Sequence, residues 1–297
     1  MKKHYPNLGL ARICALFGVT RQAYYQHQWS YMEQSTEELV VLSKIKEIRN
    51  KHPRIGGRKL LDLLKNPLLE HQIKMGRDAL FDLLSRYGLL VRKRKRRVYT
   101  TQSFHHYRKY TNLIKDKPMP TTANKIWVSD ITYLKTVNGF VYISLITDAY
   151  SRKIVGYHLA NTLEAVHTIS ALKMALRFLK EPLPNLIHHS DRGIQYCCSA
   201  YVNLLQDYQI QISMTESSDP LDNAIAERVN GIIKEEYLLN KRIANLEEAE
   251  KYLSEAVELY NNERPHMSIN MLTPKEAYKM DGELTRKWKN GYVKTYM

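Results

Sequence analysis

The sequence predicts an α/β protein in which small all-α modules precede a core made of a mixed five-stranded sheet with flanking helices. Three observations carry that expectation. Apolar residues recur at helical spacing through the first third of the chain and switch to strand-then-helix spacing from residue 125 onward. The excess positive charge lies almost wholly before that switch. Three acids in strongly patterned contexts lie after it: Asp130 in IWVSDITY, Asp191 in HHSDRGIQY and Glu227 in DNAIAERVNGIIK.

At 297 residues, 44% apolar and 25% charged, the chain has the composition of a folded globular protein with at least two folding units. That composition excludes a disordered tail protein, which lacks large apolar side chains. Of the formal charge of +15, residues 1 to 125 hold 26 lysines and arginines against 9 acids, and the remainder holds 19 against 21. A basic module joined to a near-neutral one fits an arm that grips phosphates and a body with another task. A solvated basic surface is the plainer account of the same numbers. Three cysteines, two of them adjacent, make no disulfide framework, so a reducing, intracellular setting is expected. No apolar run behaves as a membrane span or signal peptide.

Taken in order, residues 8 to 28 carry helical spacing, a break at Gly18 and Thr20 placed to cap a second helix, the pattern of a short helix-turn-helix. In that motif the second helix enters the major groove, which nominates Arg21, Gln22 and Tyr25 as DNA contacts. An ordinary helical hairpin has the same pattern. Residues 37 to 98 give EELVVLSKIKEIRNK, a break at HPRIGG, then RKLLDLLK and GRDALFDLLSRYGLL. This segment ends in six successive cations, Arg92, Lys93, Arg94, Lys95, Arg96 and Arg97, a density that self-repels unless a polyphosphate lies beside it. The expected modules are therefore residues 1–32, residues 33–98, a linker over 99–124, a catalytic core over 125–285 and a tail over 286–297.

Within the core, IWVSDITYL reads as a strand, Asn138-Gly139 as a hairpin turn, and FVYISLITDAY and KIVGYHLA as two further strands. Helix LEAVHTISALKMALRFLK follows, stopping at Pro182; NLIHHSD is a short buried strand, SAYVNLLQDY a helix and QIQISMT a strand. Two more helices span roughly 223 to 240 and 246 to 262. An antiparallel trio followed by alternating helix and strand looks like the ribonuclease-H-like core.

Each of the three acids has a modest explanation alone, as a bulge, a turn cap or a solvated helix acid. Yet Asp130 sits among apolar strand residues, where a charge is costly unless paired or metal-bound. Asp191 ends a strand, where such sheets hold ligands. Glu227 lies early in a helix behind the loop ESSDPLDN, and 35 residues separate it from Asp191. Carboxylates holding divalent cations suit phosphoryl transfer, which demands charge neutralisation more than covalent chemistry. Lys234, two helical turns after Glu227, faces the same side. Gly231 between them would let a backbone approach closely.

Together HSDRG-x-QY, DNA-x-AE and YNNERPHMSINMLTPKEAY resemble the DDE transposases of the retroviral-integrase superfamily, and more narrowly the insertion-sequence family conventionally numbered three. The likeness runs from about Leu8 to Tyr278. It implies that Asp130, Asp191 and Glu227 hold two magnesium ions, with manganese expected to substitute, and that Lys234 contacts the DNA of the element's ends. It implies transposition by cleavage and 3′-hydroxyl joining through a circular intermediate, on terminal inverted repeats and target DNA. A homo-oligomer, at least a dimer, in the bacterial cytoplasm at the nucleoid is implied as well. The family's first reading frame usually adds a further helix-turn-helix and a leucine zipper; no sustained heptad is present, so the chain reads as the downstream-frame product, with an upstream-frame protein as a further partner, or as a naturally zipper-free form.

Asp148 in LITDAYSR competes for the first carboxylate but is read as holding the turn before Ser151-Arg152. Asn223 is expected to cap the helix of Glu227, and His189, on the strand face of Asp191, to support that site or to be a core histidine. His188, His189, Cys197 and Cys198 would suit zinc only without the usual gap between cysteines. There is no GxxxxGK[ST] loop for nucleotide hydrolysis. A DNA-binding regulator without chemistry and a ribonuclease H acting on hybrids are the competing functions.

Overall fold

The computed structural model describes residues 9–91, 105–115, 117–177, 179, 183, 185–216, 223–239 and 241–287. They fall into two compact units, residues 9–50 with 63–90, and residues 51–62 with the described part of 91–287. The basic run Arg92 to Arg97 lies outside the described residues.

In the first unit, α1 (Leu10–Leu16) ends at Gly18, whose φ of 66° reverses the chain at no steric cost. Thr20 then accepts a hydrogen bond from the Ala23 N–H at 3.1 Å and starts α2. That helix does not stop where a short reading helix would. It runs unbroken from Arg21 to Lys51, across the expected boundary at 32/33, because no Gly or Pro interrupts QHQWSYMEQSTEELVVL. After α3 (Gly57–Glu70), α4 (Arg77–Arg86) closes at Gly88 in the left-handed region. Val41, Ile45, Leu64, Leu68, Leu80, Leu83 and Leu84 are the buried stripe of this unit.

The second unit is built on β1 (Ile126–Thr136), β2 (Gly139–Asp148), β3 (Ile154–Ala160), β4 (Ile187–Ser190) and β5 (Gln211–Met214), in spatial order β3-β2-β1-β4-β5. β1, β2 and β3 are antiparallel, and β4 and β5 add in parallel, so the sheet is mixed as expected. Asn138-Gly139 makes the β1–β2 turn, with Gly139 at a φ of 128°. One face carries α5 (Ala165–Leu176), α6 (Ile194–Cys197) and α7 (Ser199–Asp207) over Trp127 and Ile146. α5 lies so close to β3 that a Cβ at Gly156 would meet the Ala171 carbonyl oxygen at 2.3 Å. The other face packs Leu134, Val141, Ile143 and Leu145 against α8 (Ala224–Ile232), a π-helical turn (Ile233–Leu238) and α9 (Leu246–Asn262). α5 ends at Leu176, short of Pro182.

Residues 105–115 and 117–124 are not a free linker. Tyr107 and Tyr110 pack into the cluster around Trp127, and Leu113 and Ile114 into that around Val128. The Leu113 N–H donates to Ser213 Oγ at 2.8 Å, and Thr122 bridges to Asp281. Scattered apolar residues without a period can cover a core edge, which periodicity does not detect. Residues 51–62 also join this unit: the buried His52 ring meets the Tyr237 hydroxyl at 2.9 Å.

Candidate active site

The β1–β4 pairing ends at Val128 with His189. Two residues further on stand Asp130, within β1 and directed to the α8 face by the period-two alternation, and Asp191, just past the end of β4 and near enough to raise Asp130. The strand β4 stops at Ser190, so these acids sit where the seam opens. Asp191 is fixed by its own turn: its Oδ1 accepts the Gly193 N–H at 2.9 Å.

α8 is pinned over this opening at two points. Asn230 Nδ2 donates to Asp130 Oδ2 at 2.8 Å, and Asn223 Nδ2 donates to the Ser129 carbonyl at 2.9 Å. Glu227 lies between them on the first turn of α8 and is exposed. Asn223 stands at the N-cap position, but its side chain makes no cap hydrogen bond: Nδ2 donates to β1, and Oδ1 has no partner among the described residues. The three carboxylates interact. Burial first, then the Asp191 carboxylate and more weakly Glu227, push Asp130 up to about 7, against the hydrogen bonds from Asn230 and the Ile131 N–H.

The donor set is all oxygen, which suits a hard divalent cation. The Asn230 Oδ1 is buried and unpartnered among the described residues, a neutral oxygen beside the acids. An Asp130 carboxyl raised by burial and then by its acidic neighbours is the electrostatic condition that such a cation relieves. No three His, Cys, Asp or Glu side chains among the described residues are closed into a ready cage. The residues thus fit a hard cation in the chemistry of their donors.

Lys234, in the π-helical turn, lays its Nζ 3.8 Å from the centre of the Tyr133 ring, and burial lowers its pKa. A Cβ built at Gly231 meets nothing within 4 Å, so no part of the described protein uses the close approach that glycine permits there. His189 is fully buried, with Nδ1 2.8 Å from Ser213 Oγ, the bonding of a core histidine. His188 Nε2 lies between the hydroxyls of Ser129 and Tyr201 at 2.8 and 2.9 Å, and Cys197 faces Met214. Arg21, Gln22 and Tyr25 occupy the exposed first turns of α2.

Two features escaped the sequence. Asn230 shares a face with Glu227 at three-residue spacing, a signal available but not used. Arg264, in YNNERPH, is fully buried and forms a two-pronged pair with Glu236 at 2.8 and 2.9 Å. The π-helical turn places Glu236 there, and no local pattern announces a pairing 28 residues apart.

The integrase core domain family matches residues 120–220, and a second family of the same description matches residues 208–274. The chain is 35% identical over 266 residues to the 31 kDa protein of insertion element IS600 from Shigella sonnei, covering 88% of this chain and 96% of that one. It is 32% identical over 216 residues to the transposase for insertion sequence element IS629 of Shigella sonnei, 71% of each chain. The transposase for IS904 of Lactococcus lactis is 29% identical over 259 residues, 83% of this chain and 96% of that one. Among solved structures, an integrase catalytic core domain of HTLV-2 in complex with magnesium aligns with a TM-score of 0.43 and 22% identity, over 54% of this chain and 99% of that one.

Proposed function

The chain belongs to the insertion-sequence transposases with an integrase core domain, and from that premise we propose that Asp130, Asp191 and Glu227 form its single phosphoryl-transfer site. The electrostatic coupling of Asp130 to Asp191 and Glu227 at the end of the β1–β4 seam, with α8 pinned to Asp130 by Asn230, carries this reading. The reaction is hydrolysis of a phosphodiester at an element end, freeing a 3′ hydroxyl that then attacks a second DNA phosphate. Two magnesium ions, or manganese in their place, would be held by the three carboxylates and would neutralise charge on attacking and leaving oxygens.

The chain's own side chains do the positioning. Asn230 holds one oxygen of Asp130 and the Ile131 N–H the other, which fixes the carboxylate in the plane of the seam. Asn223 ties the start of α8 to β1, so Glu227 is presented from a rigid element behind a loop that is outside the described residues. His189 with Ser213 forms the wall beneath Asp191 rather than touching substrate. Lys234, which desolvation disfavours as a cation, gains from a nearby DNA phosphate. Arg21, Gln22 and Tyr25 meet a major groove, and Arg92 to Arg97 grip backbone phosphates.

Two element ends must be held together, so the working form is at least a dimer at the bacterial nucleoid. No described helix is long and apolar enough to cross a membrane. Whether the chain acts without an upstream-frame partner is read directly from the purified protein's binding to an element end.

The test is a supercoiled plasmid carrying the chain's own element, incubated with the protein and magnesium. Nicking at the element ends, abolished by Asp191→Asn, is the expected result. Binding without nicking would make the chain a regulator, and cleavage confined to RNA–DNA hybrids would make it a ribonuclease H.

A further inference from the structure

On the side of α8 turned away from the carboxylates lies a second concavity of about 310 Å³, lined in part by Lys59, Arg152, Arg228, Arg264, His266 and Arg286. All of these belong to the sheet-bearing unit. Glu236 attracts Lys59 and Arg228, and Asp148 attracts Arg152, but Arg264 already takes both oxygens of Glu236, and Asp148 is bonded to Ser151 and Asn124. Four further cationic side chains thus crowd one pocket around acids committed elsewhere: Lys59, Arg152, Arg228 and Arg286.

Two buried polar atoms here lack partners among the described residues. Arg152 is 8% exposed; its Nε reaches Ser268 Oγ at 3.3 Å, but its Nη1 has no acceptor. His266, 6% exposed, leaves Nε2 unpartnered. A buried guanidinium edge with no acceptor is costly, and its natural complement is an oxyanion presenting two oxygens to the planar fork. Burial, with Arg264 and Arg228, also lowers Lys59 to about 8 against the pull of Glu236, the crowding that an anion would relieve. Arg228 follows Glu227 on α8, about 100° round the helix from it, so the pocket and that carboxylate are borne by one helix.

We propose that this pocket is a built phosphate site, in which Arg152, Arg228 and Arg286 hold the non-bridging oxygens of a DNA backbone phosphate on the duplex whose other phosphate reacts. This rests on the DNA-processing reading above. A free phosphate offers the same oxygens, so the source must be separated by experiment.

The full chain is titrated against a labelled random-sequence duplex over a range of salt, comparing wild type with Arg228→Gln, Arg286→Gln and, as a control on exposed α5, Lys173→Gln. Both pocket arginines are exposed, so the variants are expected to fold, which a melt verifies. Each pocket variant lowers the slope of log affinity on log salt by about 0.9, the value of one phosphate contact. Arg228→Lys restores the slope; Lys173→Gln leaves it unchanged. Slopes unchanged in both pocket variants overturn the DNA assignment. If inorganic phosphate at matched ionic strength also raises the melting midpoint of wild type but not of the variants, the site takes free phosphate as well; if it raises neither while the slopes fall, the site takes only the DNA phosphate, and if neither the slopes nor the midpoints move, there is no site. Nicking is scored separately. Magnesium-dependent nicking with unchanged slopes removes only the pocket proposal, whereas absent nicking removes the active-site reading whatever the slopes.

Discussion

Two regions of the sheet withdraw an aspartate from water, Asp148 wholly and Asp130 in part, and they treat it in opposite ways. At the β2–β3 turn, Asp148 is fully buried and fully employed: Oδ1 accepts the Ser151 N–H and hydroxyl at 2.8 and 2.6 Å, and Oδ2 accepts the Asn124 N–H at 2.8 Å. At the β1–β4 seam, Asp130 receives one side-chain donor and its neighbour's N–H, and faces two other carboxylates. Burial raises the pKa of both. The difference lies in what surrounds the charge: donors make Asp148 a structural staple, while repulsion leaves Asp130 poised for a cation. A buried acid is thus classified by its partners rather than by its burial.

The largest effect expected from this contrast is on chemistry. Asp191→Asn, which spares the fold, should lower the rate of magnesium-dependent nicking by about a thousandfold or more, since it removes a ligand on which charge stabilisation depends. Asp148→Asn should leave the same rate within a fewfold. A nicking rate equally sensitive at both positions would break the distinction. Stability reverses the ranking: Asp148→Ala strands the donors of Ser151 and Asn124 and should cost about 3 kcal/mol, read from a denaturant melt.

Most of this contrast was legible before any coordinates. The succession of strands and helices along the core, the Asn138-Gly139 turn and Asp148's service to Ser151 follow from alternation and turn chemistry, which act over a few residues. The candidate carboxylates were legible because each sits in a motif of its own. What the sequence hid is non-local. Asn223 meets every rule for a cap, yet the Ser129 carbonyl on another element captures its amide. Arg264 looks like a surface arginine until Glu236 is seen opposite. Residues 105–115, with no periodicity, settle on the core through Tyr107, Tyr110 and Leu113. The uninterrupted α2 was hidden differently, by the expectation that a helix beginning like a reading head must also be short.

The same seam holds a base on its opposite face, which extends the comparison to pH. Burial, then neighbouring His189, lowers His188 to about 3, while its Nε2 sits between the Ser129 and Tyr201 hydroxyls. Tyr196 packs beside it as well. A histidine whose folded pKa lies below its unfolded 6.5 binds fewer protons when folded, so its contribution is intact above about 6.5 and is lost as pH falls toward 3. By pH 5 the loss is about 2 kcal/mol. His188→Gln should make the fall in stability between pH 7 and 5 shallower by that amount; parallel curves for variant and wild type would show that His188 is not held neutral.

The smallest effect is the sharpest test of the contrast, because its sign differs from that of most core substitutions. In chelator, without divalent cations, Asp130→Asn should raise stability by about 1 kcal/mol. The amide keeps the size of the carboxyl; its single oxygen still accepts from the Ile131 N–H, while its NH2 takes the place of the oxygen that accepted from Asn230, whose amide must turn over to meet it. It removes a charge opposed by burial, Asp191 and Glu227. It also brings an N–H donor close to the Asn230 Oδ1, which has none among the described residues. Magnesium should narrow or reverse the gain, since only the wild-type carboxylate can share the ion. A loss of stability in chelator would mean that Asp130 is a staple like Asp148, and that the seam is built for packing instead of for a cation.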